Sequence, residues 1–478
     1  MYSCSKEIFI KEFVEKLKCE KASLFIGSGI SRNAGYANWK DILRECAEEI
    51  GLNVDKEQDL ITLAEFYVKG KQRTKIDKAI ATYFKDSTGD PKNVHKIITT
   101  LPLRSVWTTN YDTLLERSFK NANITYSVVT DDNSYVSLDP TATVKIHKIH
   151  GDVNYPKDCV ITRKDYEKYE ETHDIVLSEL KGEMCTNSFL FMGYSFSDID
   201  IQHILSKIRL IYEDEHPQRH YCILEKVKAG KCDNEEDYQY KLKRQNHHIA
   251  DMQSYGLNVV LVDDYNEIDE ILEEISHLVN IRDVFISGAY ELSSELAKVR
   301  IAPVTLALSE KLIAEDFKII TGYGKNLGAD IVTGAFRGCV GKESSVKSFN
   351  DNVRLFPFPF KLQDSEDKKK LYTSLREIMI SKTRISIFIS GEKSSVTGNK
   401  ISSDGMIEEY EISKKQGNLV IPIATTGGVA RRIWDEENES KSQISQTEEF
   451  QSLNTEVDPE KIVNNVLQLI NNYIKNYK

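Results

Sequence analysis

The stretch SLFIGSGISRNAGYANWKDIL, residues 23–43, runs an apolar segment into a glycine turn and then into a helix. Leu24, Phe25 and Ile26 lead to Gly27-Ser28-Gly29-Ile30-Ser31, and a periodic apolar pattern begins at Trp39. A strand feeding such a turn aims backbone N–H groups and the positive end of a helix at one point, an arrangement suited to phosphate. Any tight strand-to-helix turn also needs these residue types, so the reading depends on what stands at the other strand ends.

Downstream, short β-rich runs alternate with helical patterns up to about residue 265. The runs are SVWTTN (105–110), TVKIHKIHG (143–151), SFLFMGYS (188–195), HYCILEK (220–226) and NVVLVDD (258–264). This alternation predicts an α/β fold with a parallel sheet covered by helices on both faces, and such sheets bind ligands at the carboxyl ends of their strands. Four of those ends carry polar residues. They are the Gly27–Ser31 turn, Thr108-Thr109-Asn110-Tyr111-Asp112, His150-Gly151-Asp152, and Gly193-Tyr194-Ser195-Phe196-Ser197-Asp198. Singly, Asn110 and Asp112 read as helix caps and His150 as a hydrogen-bonded structural histidine. Together, a parallel sheet would bring all four to one cleft.

The pattern restarts near residue 284 with RDVFISGAY, after a predicted closing helix EIDEILEEISHLVNI (267–281). FKIITGYGKNLGADIVTGAF, RISIFISG and LVIPIATTGG again place glycine at strand exits. A chain of 478 residues exceeds one hydrophobic core, and the expected domains are 1–283 and 284–478. The polar segment 435–460 is expected to be a surface loop, and the tail KIVNNVLQLINNYIKNY a helix. In the N-terminal segment Ile8, Phe9, Phe13, Val14 and Leu17 are expected on one helical face, and acids and lysines interrupt its apolar pairs as no secretory signal does.

A net charge of −11 disfavours broad binding to nucleic acid or anionic membrane. No apolar run approaches the roughly 20 residues of a membrane span. The eight cysteines stand singly, with no CxxC pair, so no zinc site is indicated and a cytoplasmic protein with reduced thiols is expected.

The four strand-end motifs resemble the NAD-binding core of the sirtuin family. GSGIS resembles its phosphate loop, TTNYD its Asn-bearing ribose motif and HGD its histidine motif, while GYSFSD falls where that family keeps a Gly-Ser loop. The resemblance implies NAD+ as substrate and scission of the nicotinamide–ribose bond. It makes Asn110 and His150 the catalytic pair, and Gly27, Ser28, Gly29, Ile30, Ser31, Asp112, Ser195 and Asp198 the nucleotide contacts. The paired cysteines of deacylase sirtuins are absent, and GYANW stands where those enzymes carry Ile-Pro-Asp-Phe-Arg. These departures point to transfer onto water rather than to deacylation. A protein deacylase and a non-catalytic NAD or ADP-ribose sensor are the alternatives.

The second half resembles the SLOG family, Rossmann-like modules that sense nucleotides. Its glycine turn Gly322, Gly324 and Gly328 suits a phosphate-bearing ligand at a helix N-terminus. A sirtuin-like domain followed by SLOG is similar in architecture to the effectors of Thoeris antiphage defence. That similarity implies allosteric activation of an NADase by a cyclic ADP-ribose isomer made by a TIR-domain partner. Gly288, Gly322, Gly324, Arg376, Lys393 and Glu409 are the ligand positions it implies. It further implies a homo-oligomer, a tetramer, with neither nucleic acid nor membrane as partner.

Overall fold

The structure, a computed structural model, describes residues 4–36, 38–84, 89–194, 206, 218–293, 295–341, 346–358, 366–394 and 400–476. They divide into two compact units, Met1–Val279 and Asn280–Lys478.

The first unit holds a parallel sheet of seven strands: β1 (Ala22–Ile26), β2 (Ser105–Thr108), β3 (Tyr126–Val129), β4 (Val144–Lys148), β5 (Ser188–Met192), β6 (His220–Glu225) and β7 (Leu257–Val262). Their order is β3-β4-β2-β1-β5-β6-β7. The chain leaves β1 toward one edge, then returns to β5 and builds the other, so the order reverses between β1 and β5. A crevice forms at such a reversal.

Side chains of successive strand residues alternate between two apolar layers. Leu24, Ile26, Val106, Ile146 and Leu190 pack with helices Lys6–Lys18 and Glu267–Asn280. Phe25, Trp107, Phe189 and Phe191 pack on the other face against Val176, Leu180 and Met184 of helix Asp174–Thr186. A third cluster joins helices Trp39–Glu49, Leu60–Gly70 and Thr74–Phe84 to Tyr111, Leu114, Val153 and Ile161, so these helices form a wall beside the ends of β2 and β4. Arg73 ties that wall down, through Asp77 at 3.0 Å and both carboxylate oxygens of Asp165 at 2.7 Å.

The second unit carries a parallel sheet of five strands: β8 (Asp283–Ala289), β9 (Lys318–Thr321), β10 (Val353–Leu355), β11 (Ile385–Ser390) and β14 (Leu419–Ile423), in the order β10-β9-β8-β11-β14. A hairpin of β12 (Glu392–Ser394) and β13 (Lys400–Ser402) lies outside it. Here the reversal falls between β8 and β11. Two parallel-sheet α/β domains are therefore present, as the alternation of strand and helix patterns predicts.

Two local expectations are corrected. On helix Lys6–Lys18 the inward face holds Phe9, Ile10, Phe13, Val14 and Leu17, while Ile8 is 52% exposed. At about 100° per residue Ile10 falls within the face centred near Phe13, while Ile8 falls on the far side of the helix. The polar segment 435–460 is not one loop. It completes helix Gly428–Glu439 and includes helix Glu448–Ser452, where Phe450 is buried and stacks on Trp434 at 5.8 Å.

The corrected helix face yields a first prediction. Phe13→Ala costs the first domain about 3–5 kcal/mol, whereas Ile8→Ala stays within about 0.5 kcal/mol. Denaturant unfolding of the two variants tests this, and equal losses would contradict the assignment of the buried face.

Candidate functional site

The turn after β1 meets the turn after β5 with no side chain between them. A Cβ on Gly27 would lie 2.3 Å from the Gly193 carbonyl oxygen, and one on Gly193 would lie 2.6 Å from the Ile30 nitrogen. Gly193 also has φ of +61°, a conformation that glycine adopts without steric cost. The Gly27 amide donates to the Met192 carbonyl at 2.9 Å and the Gly29 amide to the Gly193 carbonyl at 3.0 Å. The Ile30 amide closes on the Gly27 carbonyl at 3.2 Å. Three amides that the sequence offers to a phosphate are thus bonded within the protein, and the turn contributes Ser28 and Ser31 to the neighbouring cavity.

That cavity, about 680 Å³, is lined by residues from all four polar strand ends, among them Ser28, Ser31, Asn110, Asp112, His150 and Gly193. Trp39, Asp59, Ile61, Phe84 and Tyr166 supply its other walls. A second hollow of about 470 Å³ continues past Gly29, Ile30 and Gly193 to Ile223, Leu224 and Asp269 at the ends of β6 and β7. Ser195 and Asp198 lie outside the described residues.

Asn110 follows β2 and is buried, its backbone amide held by the Thr108 hydroxyl at 3.0 Å. Its side-chain nitrogen donates to the Gly27 carbonyl at 3.1 Å and to Ser31 Oγ at 2.8 Å. A carbonyl only accepts, which fixes the orientation of the amide. Both donors are therefore spent on the β1 turn. The buried Oδ1 finds no hydrogen-bond partner among the described residues and is an acceptor held ready beside the cavity. Asp112, which precedes the N-cap residue Thr113, accepts at Oδ1 from the Leu114 amide at 3.0 Å just ahead of helix Leu114–Asn121, while its Oδ2 is buried with no partner among the described residues.

His150 follows β4 and is 3% exposed. The rings of Tyr166 and Tyr169 stand edge-on to it, at 5.6 and 6.3 Å. Gly151, with φ of +98°, turns the chain directly behind it, and a Cβ there would lie 2.9 Å from Cys159 Cα. Tyr169 anchors the turn through the Ile149 carbonyl at 2.6 Å. Nearby His95 accepts from the Lys92 amide, and burial pushes it down to about 4, so it stays neutral at physiological pH.

Sequence reasoning passed over the aromatic wall and a fully buried lysine, Lys148, two residues before His150. Burial works against its charge. The carboxylates of Glu116 and Asp152 outweigh that, and the ammonium is held above its ordinary range. The one sequence signal is the four-residue spacing of Lys148 and Asp152, since Glu116 comes from another element.

In the second unit a cavity of about 450 Å³ is lined by Gly288, Gly322, Gly324, Arg376 and Glu409. A Cβ on Gly324 would lie 2.0 Å from the Gly288 carbonyl, between the ends of β8 and β9, and one on Gly288 would lie 2.1 Å from the Ile389 carbonyl of β11, across the sheet reversal. Arg376 is clasped rather than free. Its Nη1 reaches Glu408 at 2.7 Å, its Nε reaches Glu409 at 3.3 Å, and its guanidinium lies over Phe358 at 4.9 Å. Lys368, Tyr372 and Arg376 share one face of helix Glu366–Ser381 and all line the cavity. That four-residue spacing was readable in the sequence, whereas the pairing of Arg376 with Glu408 and Glu409 of helix Asp404–Lys415 was not. Lys393 falls in β12, and its side chain lies outside the described residues.

Among the described residues no group of three or more His, Cys, Asp or Glu side chains is arranged to hold a metal ion. No helix among them is long and apolar enough to cross a membrane.

Comparison with known proteins adds independent findings. Residues 267–473 match the Sir2- and TIR-associating SLOG family, and residues 104–249 match the SIR2-like domain. The chain is 32% identical over 477 residues to the NAD(+) hydrolase ThsA of Bacillus cereus (strain MSX-D12), covering 97% of this chain and 98% of that protein. It is 33% identical over 482 residues to NAD(+) hydrolase ThsA of Enterococcus faecium, covering 98% of each. A shorter match, 23% identical over 213 residues, is to Defense-associated sirtuin 2 of Bacillus subtilis, covering 43% of this chain and 21% of that one.

The contact between the two turns yields a second prediction. Gly27→Ala forces them apart and lowers first-domain stability by about 1–3 kcal/mol. Thermal unfolding measures this, and an unchanged transition would show that the turns are not locked together.

Proposed function

As a member of the ThsA family of NAD(+) hydrolases, this chain is an NAD+ hydrolase, and we propose that it cleaves NAD+ in the cavity of its first domain, with Asn110 and His150 as the catalytic pair. One observation carries this reading: Asn110 and His150 come from different strand ends and line one cavity with Ser28 and Ser31. The bond that breaks joins nicotinamide nitrogen to ribose C1′. Its electrons pass to the pyridinium, so nicotinamide leaves neutral and needs no acid. The ribosyl group left behind has oxocarbenium character. A water oxygen bonds to C1′, giving ADP-ribose, and its proton is released. Asn110 Oδ1, with its donors already engaged, accepts from that water or a ribose hydroxyl and orients it. His150, whose imidazole lines the same cavity, takes the proton. Ser28, Ser31 and the hollow toward Asp269 receive the rest of the dinucleotide, with Ser195 and Asp198 as further nucleotide contacts.

The second domain is the sensor in this reading. A cyclic ADP-ribose isomer, made by a TIR-domain partner, binds the cavity of Gly288, Gly322, Gly324, Arg376 and Glu409, with Lys393 as a further contact. Arg376 meets its diphosphate, and Glu409 accepts from ribose hydroxyls. Such a signal activates only through unequal affinity for two states of the protein, here states of a homo-oligomer, a tetramer, acting in antiphage defence in the cytoplasm.

Purified protein incubated with NAD+, with and without the cyclic nucleotide, tests the reading by release of nicotinamide. Asn110→Ala and His150→Ala each lower kcat by about 10²- to 10⁴-fold. A folded variant with wild-type turnover would remove that residue from the mechanism. Arg376→Glu weakens the cyclic nucleotide by at least about tenfold in calorimetry, and undiminished affinity would show that the signal binds elsewhere.

A further inference from the structure

Lys148 touches nothing in the chemistry above, yet its contacts converge on both catalytic loops. Its Nζ donates to the carbonyls of Tyr111 at 3.1 Å and Asp112 at 2.6 Å, to Glu116 Oε1 at 2.8 Å, and to Asp152. Tyr111 and Asp112 directly follow Asn110. Asp152 lies two residues after His150, and its other oxygen accepts from the Asn154 amide at 2.7 Å, which closes the turn behind the histidine. The Val153 amide donates to the Tyr111 carbonyl at 2.9 Å, so the two loops also touch backbone to backbone beside the ammonium. One buried charge thus has partners on the loop after β2, on the helix that this loop starts, and on the loop after β4.

A buried ammonium is tolerated where acceptors surround it, and the same requirement makes its geometry demanding. Its three donors face four acceptors that belong to separate segments. Displacing either loop would strand a buried carboxylate or carbonyl. An ion pair that merely joined two helices would not engage the backbone of residues 111 and 112.

We propose that Lys148 is a positioning residue for NAD+ cleavage, its ammonium setting the loop that bears Asn110 against the loop that bears His150. The proposal rests on the catalytic roles given above to Asn110 and His150. Misplacement of a reacting group by 1 Å can cost about 10²-fold in rate, so a clamp at this point controls turnover without touching substrate.

The test uses the full chain in three forms. Lys148→Met keeps an unbranched side chain one atom shorter and removes its donors. Lys148→Met combined with Glu116→Gln and Asp152→Asn also removes the acids left without a partner, which protects the fold. Lys148→Arg retains the charge. Steady-state kinetics with NAD+ are read beside hydrogen exchange of peptides spanning 105–121 and 145–160. In the folded triple variant kcat falls about 10²-fold while KM holds, and both peptides lose protection as β1 and β5 keep theirs. Lys148→Arg recovers part of the rate. Unchanged kcat in the folded triple variant, or unchanged protection in both peptides, overturns the proposal. A wild-type chain that releases no nicotinamide would instead remove the NAD+ reading, and the exchange data would still decide whether Lys148 holds the loops.

Discussion

The first domain depends on two turns that meet at the point where strand order reverses. With a Cβ on Gly27 only 2.3 Å from the Gly193 carbonyl, neither turn can carry a side chain inward. This contact fixes how closely the ends of β1 and β5 approach, and other elements are built upon it. Asn110 hooks the Gly27 carbonyl and the Ser31 hydroxyl, which ties the end of β2 to the same turn. Lys148 then ties the end of β4 to the loop that carries Asn110. The cavity is what these restraints leave open.

That construction explains which atoms are available for chemistry. The asparagine spends both donors on architecture and keeps its carbonyl oxygen. Three turn amides are spent on Met192, Gly193 and Gly27. What the four strand ends present to the cavity therefore includes the hydroxyls of Ser28 and Ser31, the Asn110 amide oxygen, the Asp112 carboxylate and the His150 imidazole, held by a buried frame. Groups fixed before substrate arrives need little reorganisation during the reaction. The second domain repeats the device in its own terms, with Gly288 of β8 against the Ile389 carbonyl of β11 and a guanidinium held in advance by two carboxylates and an aromatic ring.

Much of this was readable in the sequence, for a physical reason. Strands buried on both faces are short apolar runs, and a parallel sheet collects their ends on one edge, so GSGIS, TTNYD and HGD could be assigned to one cleft. The edge strands β3 and β10 escaped because only one side of each is paired and the runs are short. Segment 435–460 read as loop because its helices keep polar faces outward while Trp434 and Phe450 go in. Lys148 was passed over, since the charge that accommodates it includes Glu116, 32 residues earlier. The two acids clasping Arg376 likewise lie 32 and 33 residues away on another helix. Local pattern reports which face is apolar; it does not report which distant charge completes a buried pair.

The central claim is that NAD+ is cleaved at the shared ends of β1, β2, β4 and β5. A crystal structure of the Asn110→Ala protein with NAD+ tests it most directly. The account predicts the nicotinamide ribose between residue 110 and His150, with the pyrophosphate beside Ser28 and Ser31. Dinucleotide found only in the cavity of the second domain, with the first left empty, would contradict it.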